Sequence, residues 1–354
     1  MADPTWIDCL QHRAETDTKM KIAIFDVSHW HFPLYLAPLR DSGIEVIGIS
    51  DSASFAGERF AKELNCKLYA SNEELFKADF DFALVFSRHS DMASLAERLI
   101  KCGTPFLIEK PCGLNLKEVR HIRRLAEQRG VYVSVPFIIR VSDLAERLSI
   151  ADGFTPEGFQ HFSFRFNVGS VSRYERNGCG WMLDKKHAGG GSLLNVGIHF
   201  IDLVASLTNS PITHVSAQAR THRPDVTVDE QAVLTCQNAA GQIAIIETGY
   251  LYPSTPDDQR DFAFSIAHTS SYVRGYADQF FTKKREQEHG QAVTVEYNTD
   301  AYYPVFLRRS WDDLSKGHQP IAGLREAEHA LAVIEAAYTS ADGGGAPLSI
   351  THEI

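Results

Sequence analysis

An asparagine, a histidine and a carboxylate follow a triple glycine in residues 189–202, GGGSLLNVGIHFID. If this segment is helical, the side chains of Asn195, His199 and Asp202 share one face, because helical residues three or four apart are neighbours. An amide, an imidazole and a carboxylate on one face could bind a polar substrate and transfer a proton. The alternative interpretation is a buried helix with one hydrogen-bonded core histidine.

Lys110 is a second candidate for chemistry, in the segment TPFLIEKP at 104–111. The apolar part is typical of a buried parallel strand, and open α/β sheets bind ligands at the carboxyl ends of such strands. Pro111 has no N–H and favours an extended residue before it, so we expect the strand to end here. Lys110 is therefore either a catalytic cation or a surface lysine, and surface lysines are far commoner.

Together, Glu109-Lys110-Pro111 and the segment 189–202 resemble the Gfo/Idh/MocA family, named after glucose–fructose oxidoreductase and inositol dehydrogenase. The resemblance extends over about residues 20–350 and includes Arg140, which follows a strand-like run at 131–139. It implies an N-terminal Rossmann-like, doubly wound α/β domain and a C-terminal α+β domain with a large, open, mostly antiparallel sheet. It also implies a homodimer or homotetramer formed through that sheet.

The order of elements along the chain agrees with that architecture. We predict strands at 21–25, 45–50, 66–69, 82–86, 105–108 and 131–139, alternating with helices at 34–42, 53–64, 92–102 and 116–129. Alternating segments at 161–168, 215–220, 232–236, 242–250 and 262–267 predict antiparallel strands, and 324–339 predicts a late helix. We therefore predict a loosely ordered N-terminal extension at 1–19, a dinucleotide-binding domain at 20–143, and a domain for substrate binding and oligomerisation at 144–354.

The loop after the first predicted strand departs from the dinucleotide-binding pattern. Gly-x-Gly-x-x-Gly normally follows this strand, so that the backbone can approach the pyrophosphate. Here Asp26, Ser28 and His31 occupy the three glycine positions. A carboxylate about 4 Å from a phosphate charge costs roughly 4 kcal/mol at an effective dielectric constant near 20. His29 and His31 could offset that cost by donating to phosphate, or they could be turn or substrate-pocket residues.

Other residues predicted to bind the cofactor follow later strands. Asp51, after the second strand, fits the ribose hydroxyls and disfavours a 2′-phosphate, so NAD is favoured over NADP. Its alternative role is to cap the next helix. Ser87 and Arg88 stand where the family has a Thr-Pro-Asn-like turn, and Arg88 could compensate for the acid in the first loop. Glu109 and Lys110 complete this set.

The resemblance implies an NAD(P)-dependent dehydrogenase that transfers hydride to or from a hydroxyl carbon of a sugar, sugar acid or cyclitol. His199 is the predicted base, because its unperturbed pKa is near 6.5. Lys110 would orient the hydroxyl and stabilise alkoxide charge. Asn195, where most relatives have aspartate, would position the imidazole of His199 or a sugar hydroxyl. Asp202 would accept a hydrogen bond from a substrate hydroxyl.

Residues just before the glycines are candidates for the substrate pocket. Trp181 could stack on a sugar face, and Lys185 or Lys186 could bind a substrate carboxylate, although each could equally be structural. Two alternative functions remain open. One is a lyase or isomerase that holds NAD tightly and recycles it, and the other is a non-catalytic sensor or regulatory protein with an altered cofactor loop.

Composition excludes several classes of protein. The net charge of −10, without a long basic run, argues against nucleic-acid binding. No apolar stretch is long enough to predict a membrane span. The six cysteines include no Cys-x-x-Cys pair, so we expect reduced thiols, no metal site and a cytoplasmic protein. The predicted partner is a small polyhydroxy substrate.

Overall fold

A computed structural model describes residues 19–51, 56–253 and 260–351. The chain divides into two compact units. The first contains residues 1–136, 177–181 and 300–328, and the second contains 137–176, 182–299 and 329–354. The predicted boundary after residue 143 therefore differs from the observed division, because two later segments return to the first unit. Of the predicted extension, only Lys19 is among the described residues.

The first unit is built on a six-stranded parallel sheet with the order β3-β2-β1-β4-β5-β6. Its strands are β1 (Met20–Phe25), β2 (Ile44–Ser50), β3 (Lys67–Tyr69), β4 (Phe82–Val85), β5 (Phe106–Ile108) and β6 (Val133–Ser134). Every residue of β4 and β5 is buried, as expected for strands that are covered on both faces. The prediction of a Rossmann-like, doubly wound sheet is confirmed.

Three of the four helices predicted in the first unit are present, although residues 53–55 of the helix predicted at 53–64 lie outside the described residues. The helices at 72–75 and 302–315 were not predicted. Five α-helices of the described chain lie wholly in this unit. They are α1 (Ala56–Glu63), α2 (Asn72–Leu75), α3 (His89–Lys101), α4 (Leu116–Arg129) and α9 (Tyr302–Ser315). Helix α4 has the predicted bounds because its ends are marked locally. Asn115 accepts a hydrogen bond from the N–H of Glu118 at 3.0 Å, and Gly130 ends the helix in the left-handed conformation, with φ of 66°.

The helix predicted at 34–42 does not form. The chain between β1 and β2 instead makes two 3₁₀ turns, Phe32–Tyr35 and Pro38–Arg40. Pro38 has no N–H to donate within a continuous helix, which explains the break. The strand predicted at 131–139 is also too long, because β6 ends at residue 134. Arg140 lies in the 3₁₀ turn Ile138–Val141 rather than at a strand end.

The second unit contains a nine-stranded sheet with the order β14-β13-β12-β11-β7-β10-β9-β8-β15. Its strands are β7 (Phe159–Gly169), β8 (Ile212–Arg220), β9 (Gln231–Asn238), β10 (Ile243–Tyr252), β11 (Asp261–His268), β12 (Ser271–Tyr276), β13 (Gln279–Lys284), β14 (Gln291–Thr294) and β15 (Leu348–Ser349). Strands β7 and β10 pair in parallel, whereas the other pairs are antiparallel. Buried and more exposed residues alternate along β9 and β11, so one face of this sheet packs on the core.

The helices of the second unit are α5 (Asp143–Arg147), α6 (Ser172–Arg176), α7 (Lys185–Ala188) and α8 (Ile198–Thr208). A π-helical turn, Leu193–Gly197, directly precedes α8. Helix α10 (Leu324–Asp342) begins in the first unit and ends in the second. Within the described chain, one helical stretch, 185–208, is long and apolar enough to cross a membrane by composition. However, 83% of its most apolar window is buried inside the protein, which is typical of a core helix.

Candidate active site

The loop after β1 is held in an uncommon backbone conformation. Asp26 has φ of 60°, the left-handed region that favours glycine, and its side chain is buried. Its carboxylate accepts a hydrogen bond from the Ser87 hydroxyl at 2.6 Å. The carbonyl of Ser28 accepts hydrogen bonds from the indole of Trp181 at 3.1 Å and from the thiol of Cys179 at 3.3 Å. Trp181, predicted in the substrate pocket, therefore contacts the predicted cofactor loop.

Histidines from this loop contact the residue that precedes the candidate lysine. Nδ1 of His31 lies 3.3 Å from a carboxylate oxygen of Glu109, and the hydroxyl of Tyr303 lies 3.0 Å from its Nε2. Tyr35 donates to the other oxygen of Glu109 at 2.7 Å. All of these residues are buried, and Glu109 is completely so. Burial, together with the Glu109 charge, holds the pKa of Tyr35 well above its usual value.

His29 lies beside His31 and completes this buried group. Its Nδ1 accepts the backbone N–H of His31 at 3.2 Å, and its Nε2 lies 3.4 Å from Nε2 of His89. Burial holds the pKa of His29 well below its usual value, although Glu109 opposes the shift. The His29 imidazole is therefore neutral at neutral pH.

Lys110 is completely buried, directly after β5. This excludes the surface-lysine interpretation. A buried ammonium loses its hydration and is retained where it interacts with other charged or polar groups. Burial also raises the pKa of the nearby Cys112 thiol, and Lys110 only partly opposes this shift. A fully buried lysine at the carboxyl edge of a parallel sheet is a strong candidate for a functional group.

Of the three buried donors in the first unit that have no hydrogen-bond partner among the described residues, two lie in the predicted cofactor-binding segments and test whether a dinucleotide fits. They are Oγ of Ser28 and Nε of Arg88. A buried donor without an acceptor costs roughly 1–3 kcal/mol, and phosphate oxygens would supply the acceptors. Asp51 accepts the N–H of Gly57 at 2.6 Å, so it caps α1. Its place after β2 also fits a ribose. The residues present fit a dinucleotide, although the phosphate donors differ from a glycine loop.

In the second unit, the segment around His199 is not one regular α-helix. Asn195 lies in the π turn and His199 lies in α8, so the segment departs from regular α-helical geometry, and the expectation that the two side chains share a face stays a prediction. The Asn195 amide donates to the hydroxyl of Tyr174 at 2.8 Å. The His199 ring lies edge-on to Phe137, with 6.1 Å between ring centroids. Both polar residues are nevertheless buried.

Asp202 forms an ion pair with an arginine of the same unit. Nε and Nη2 of Arg140 donate to its two oxygens at 2.8 and 2.7 Å. A bidentate salt bridge of this kind fixes the orientation of both side chains. Whether Asp202 also accepts a substrate hydroxyl stays a prediction. Lys185 and Lys186 are exposed on α7, and their role in substrate binding is likewise untested.

Asp229 anchors the start of the His199 segment, a role that sequence reasoning missed. Its carboxylate accepts the N–H of Gly191 at 2.7 Å, the N–H of Leu193 at 2.9 Å and the hydroxyl of Ser192 at 3.0 Å. A Cβ on Gly191 would lie 1.8 Å from the carbonyl oxygen of Asp229, so only glycine fits there. Burial raises the pKa of Asp229, and these hydrogen bonds together with one from Tyr338 partly offset the rise. No local sequence signal points to this anchor.

Comparison with models of protein families establishes the family to which the chain belongs. Residues 28–137 match a family described as an oxidoreductase family with an NAD-binding Rossmann fold, and residues 160–274 match the GFO/IDH/MocA C-terminal domain. The chain belongs to the Gfo/Idh/MocA oxidoreductase family. The family resemblance seen in the sequence and the predicted NAD cofactor are both confirmed by these matches.

Individual relatives of this family member are distant. The mouse trans-1,2-dihydrobenzene-1,2-diol dehydrogenase is 26% identical over 201 residues, which cover 55% of this chain and 58% of the mouse protein. The rhizopine catabolism protein MocA of Rhizobium meliloti is 23% identical over 223 residues, which cover 61% of this chain and 67% of that protein. The match to the mouse protein thus spans less than two thirds of its length.

Solved structures share the complete fold. An inositol dehydrogenase homologue from Azotobacter vinelandii, complexed with NAD⁺, has a TM-score of 0.79 at 15% identity, covering 94% of this chain and 97% of the other. The UDP-N-acetylglucosamine 3-dehydrogenase GnnA of Acidithiobacillus ferrooxidans has a TM-score of 0.75 at 17% identity, covering 92% and 98%. At such identities the similarity establishes the fold and not the substrate.

Proposed function

We propose that this Gfo/Idh/MocA protein is an NAD-dependent dehydrogenase that oxidises a secondary hydroxyl of a sugar, sugar acid or cyclitol, or catalyses the reverse reduction. The observation that carries the proposal is the complete burial of Lys110 at the carboxyl edge of β5, in a sheet with dinucleotide-binding order. The substrate class is supported by relatives named as an inositol dehydrogenase homologue, a UDP-N-acetylglucosamine 3-dehydrogenase and a trans-1,2-dihydrobenzene-1,2-diol dehydrogenase.

The bound nicotinamide would supply the hydride acceptor or donor. In the first unit, Ser28 and Arg88 would donate to the phosphates, and Asp51 would accept from the ribose. Because its acidic side chain disfavours a 2′-phosphate, Asp51 also favours NAD over NADP.

Protein groups would supply the proton chemistry. In the second unit, His199 would act as the base that takes the proton of the reacting hydroxyl. In the first unit, Lys110 would orient a substrate hydroxyl and stabilise alkoxide charge. Asn195 would position the reacting groups without changing their charge. The Arg140–Asp202 pair would hold α8 in place.

Substitution of Lys110 and His199 tests these roles. Lys110→Met keeps most of the buried volume but removes the ammonium, and His199→Ala removes the imidazole. Each should lower kcat by about 10²–10⁴-fold, the usual contribution of a general acid–base group, while the Kd for NAD changes much less. Matched controls are Lys117→Met and His289→Ala, at exposed positions. Near-normal kcat in either active-site variant would contradict the assignment.

Cofactor analysis separates the alternative functions. We expect purified protein to bind NAD reversibly and to turn over with a polyhydroxy substrate. Stoichiometric NAD that stays bound after extensive dialysis, without net reduction during turnover, would favour a lyase or isomerase. No dinucleotide binding by calorimetry would favour a non-catalytic regulatory protein.

We also propose that the protein assembles into homodimers or homotetramers through the nine-stranded sheet of the second unit. Large apolar side chains are exposed on its strands, namely Val233, Ile243, Ile245, Leu251, Tyr272, Tyr276 and Val293. Exposed apolar surface of this kind favours burial against a second copy. Light scattering of the wild-type protein and of Ile243→Lys/Ile245→Lys should give a smaller mass for the variant. A monomeric wild type would contradict the proposal.

We also propose a cytoplasmic location, only because the spacing of the cysteines favours reduced thiols.

A further inference from the structure

His29, His31 and Glu109 form a buried group with the composition of a metal site. One nitrogen of each imidazole and one carboxylate oxygen all lie within 4.8 Å of one another. Their exposed fractions are 1%, 6% and 0%. All three residues belong to the first unit, where the β1 loop lies against the end of β5. This group lies outside the acid–base roles proposed above.

The separation of His31 and Glu109 fits two ligands of one ion better than a strong ionic hydrogen bond. Hydrogen bonds between an imidazolium and a carboxylate are usually about 2.7–2.9 Å long, whereas this N···O distance is 3.3 Å. Ligands about 2.0–2.2 Å from a tetrahedral ion lie roughly 3.4 Å apart, by geometry. A small inward movement of His29 would bring the third ligand to the same separation.

Each of the three proposed ligands already contacts a second polar side chain, as metal ligands in proteins usually do. Tyr303 contacts Nε2 of His31 at 3.0 Å, which leaves Nδ1 directed at Glu109. Tyr35 donates to one oxygen of Glu109 and leaves the other oxygen for a ligand bond. His89 contacts Nε2 of His29, so the ion would bind Nδ1 and take the place of the backbone N–H of His31, which Nδ1 accepts at 3.2 Å. Such partners orient the rings and the carboxylate before an ion binds.

The chemistry of the ligands also favours a cation, because a completely buried carboxylate, Glu109, lies against one of the imidazoles. Two nitrogen ligands and one oxygen ligand suit zinc and its first-row neighbours, whereas magnesium and calcium prefer oxygen alone.

We propose that His29, His31 and Glu109 bind one divalent transition-metal ion of the zinc class. The ion links the β1 loop to the end of β5, beside Lys110. It thereby fixes a loop in which two 3₁₀ turns replace the usual helix. Because metal affinity is measured without dinucleotide or substrate, the proposal stands or fails independently of the proposed dehydrogenase activity.

Metal titration of the full-length protein, freed of any affinity tag and treated with a chelator, tests the site. We expect one equivalent of Zn²⁺ to bind in competition with a chromogenic chelator. His29→Ala, His31→Ala and Glu109→Gln should each weaken binding by at least about 100-fold, and Tyr303→Phe by about 10–100-fold. His121→Ala, which removes an exposed histidine partner of Glu97, is the matched control and should leave the affinity unchanged.

Spectroscopy and thermal unfolding of the wild type keep the proposal testable if a variant fails to fold. Co²⁺ should give the visible spectrum of nitrogen and oxygen ligands without a thiolate charge-transfer band. Saturating Zn²⁺ should raise Tm by roughly 5–10 °C. Absence of a stoichiometric site would overturn the proposal. A thiolate band, or affinity that survives the ligand substitutions, would do the same.

Discussion

Removal of the Asp26 carboxylate should tighten binding of NAD. A carboxylate about 4 Å from a phosphate charge costs up to about 4 kcal/mol at an effective dielectric constant near 20, and the Ser87 hydrogen bond and solvent reduce this cost. We therefore expect Asp26→Asn to lower the Kd for NAD by about 10–100-fold, equivalent to about 1.4–2.8 kcal/mol. Asparagine keeps an acceptor for Ser87 and tolerates the left-handed conformation.

Asp26→Gly is the matched variant, because it separates charge from conformation. It relieves about 1–2 kcal/mol of left-handed strain but leaves the buried Ser87 hydroxyl without this acceptor, which costs about 1–3 kcal/mol. Its free energy of unfolding should therefore lie within about 2 kcal/mol of the wild type. Its NAD affinity should equal that of Asp26→Asn if charge alone matters, and exceed it if closer backbone approach also contributes.

Calorimetric titration of the three proteins with NAD at low and high salt provides the measurement. The gain in affinity should shrink as salt rises, because the Debye length falls from about 10 Å at 0.1 M to about 3 Å at 1 M. If Asp26→Asn binds NAD as weakly as the wild type at low salt, or more weakly, the repulsion argument is refuted. Asp26 would then serve to hold the loop in a binding-competent shape.

Other predictions concern the second unit and the pH dependence of stability. Asn195→Asp adds a carboxylate near His199 and should move the acidic limb of the kcat/KM–pH profile upward; an unmoved limb would show that another group is the base. Burial raises the pKa of Glu328, but hydrogen bonds from two arginines outweigh this and hold it below its usual value. Glu328→Gln should therefore lower the free energy of unfolding by about 1–3 kcal/mol at pH 7. The difference between the two proteins should vanish as the pH falls below about 4.5 towards the pKa of Glu328 in the folded state. A difference that denaturant titrations show to be independent of pH would refute the ion-pair explanation. Gly191→Ala should cost at least about 3 kcal/mol, because its Cβ meets the Asp229 backbone, and an unchanged Tm would contradict that clash.

Several elements could be predicted because their signals are local. Helix α4 has the predicted bounds, since Asn115 and Gly130 mark its two ends within the segment itself. The buried strands of the first sheet are continuous apolar runs, and the alternation along β9 and β11 identifies half-buried strands. The recognition of the family depended on short motifs of the same local kind.

Local spacing was a poor guide where the backbone departs from ideal geometry. The helix predicted at 34–42 fails because Pro38 interrupts it. The π turn Leu193–Gly197 interrupts the regular α-helix that the sequence predicts around Asn195 and His199. No residue pattern in that turn distinguishes it from an α-helix, so only the three-dimensional structure could reveal it.

The sequence by itself determined the strands of the first sheet, the central strands of the second sheet, the family and the candidate catalytic side chains, but it missed β12 to β15 and the helices α2 and α9. Only the tertiary structure decided which polar groups meet. His31 and Glu109 are 78 positions apart, and Ser87 and Asp26 are 61 apart, yet each pair is in contact. These contacts form because parallel strands bring their carboxyl ends to one edge of a sheet, whatever their separation along the chain. Periodicity describes neighbours in sequence, and it contains no information about such distant pairs.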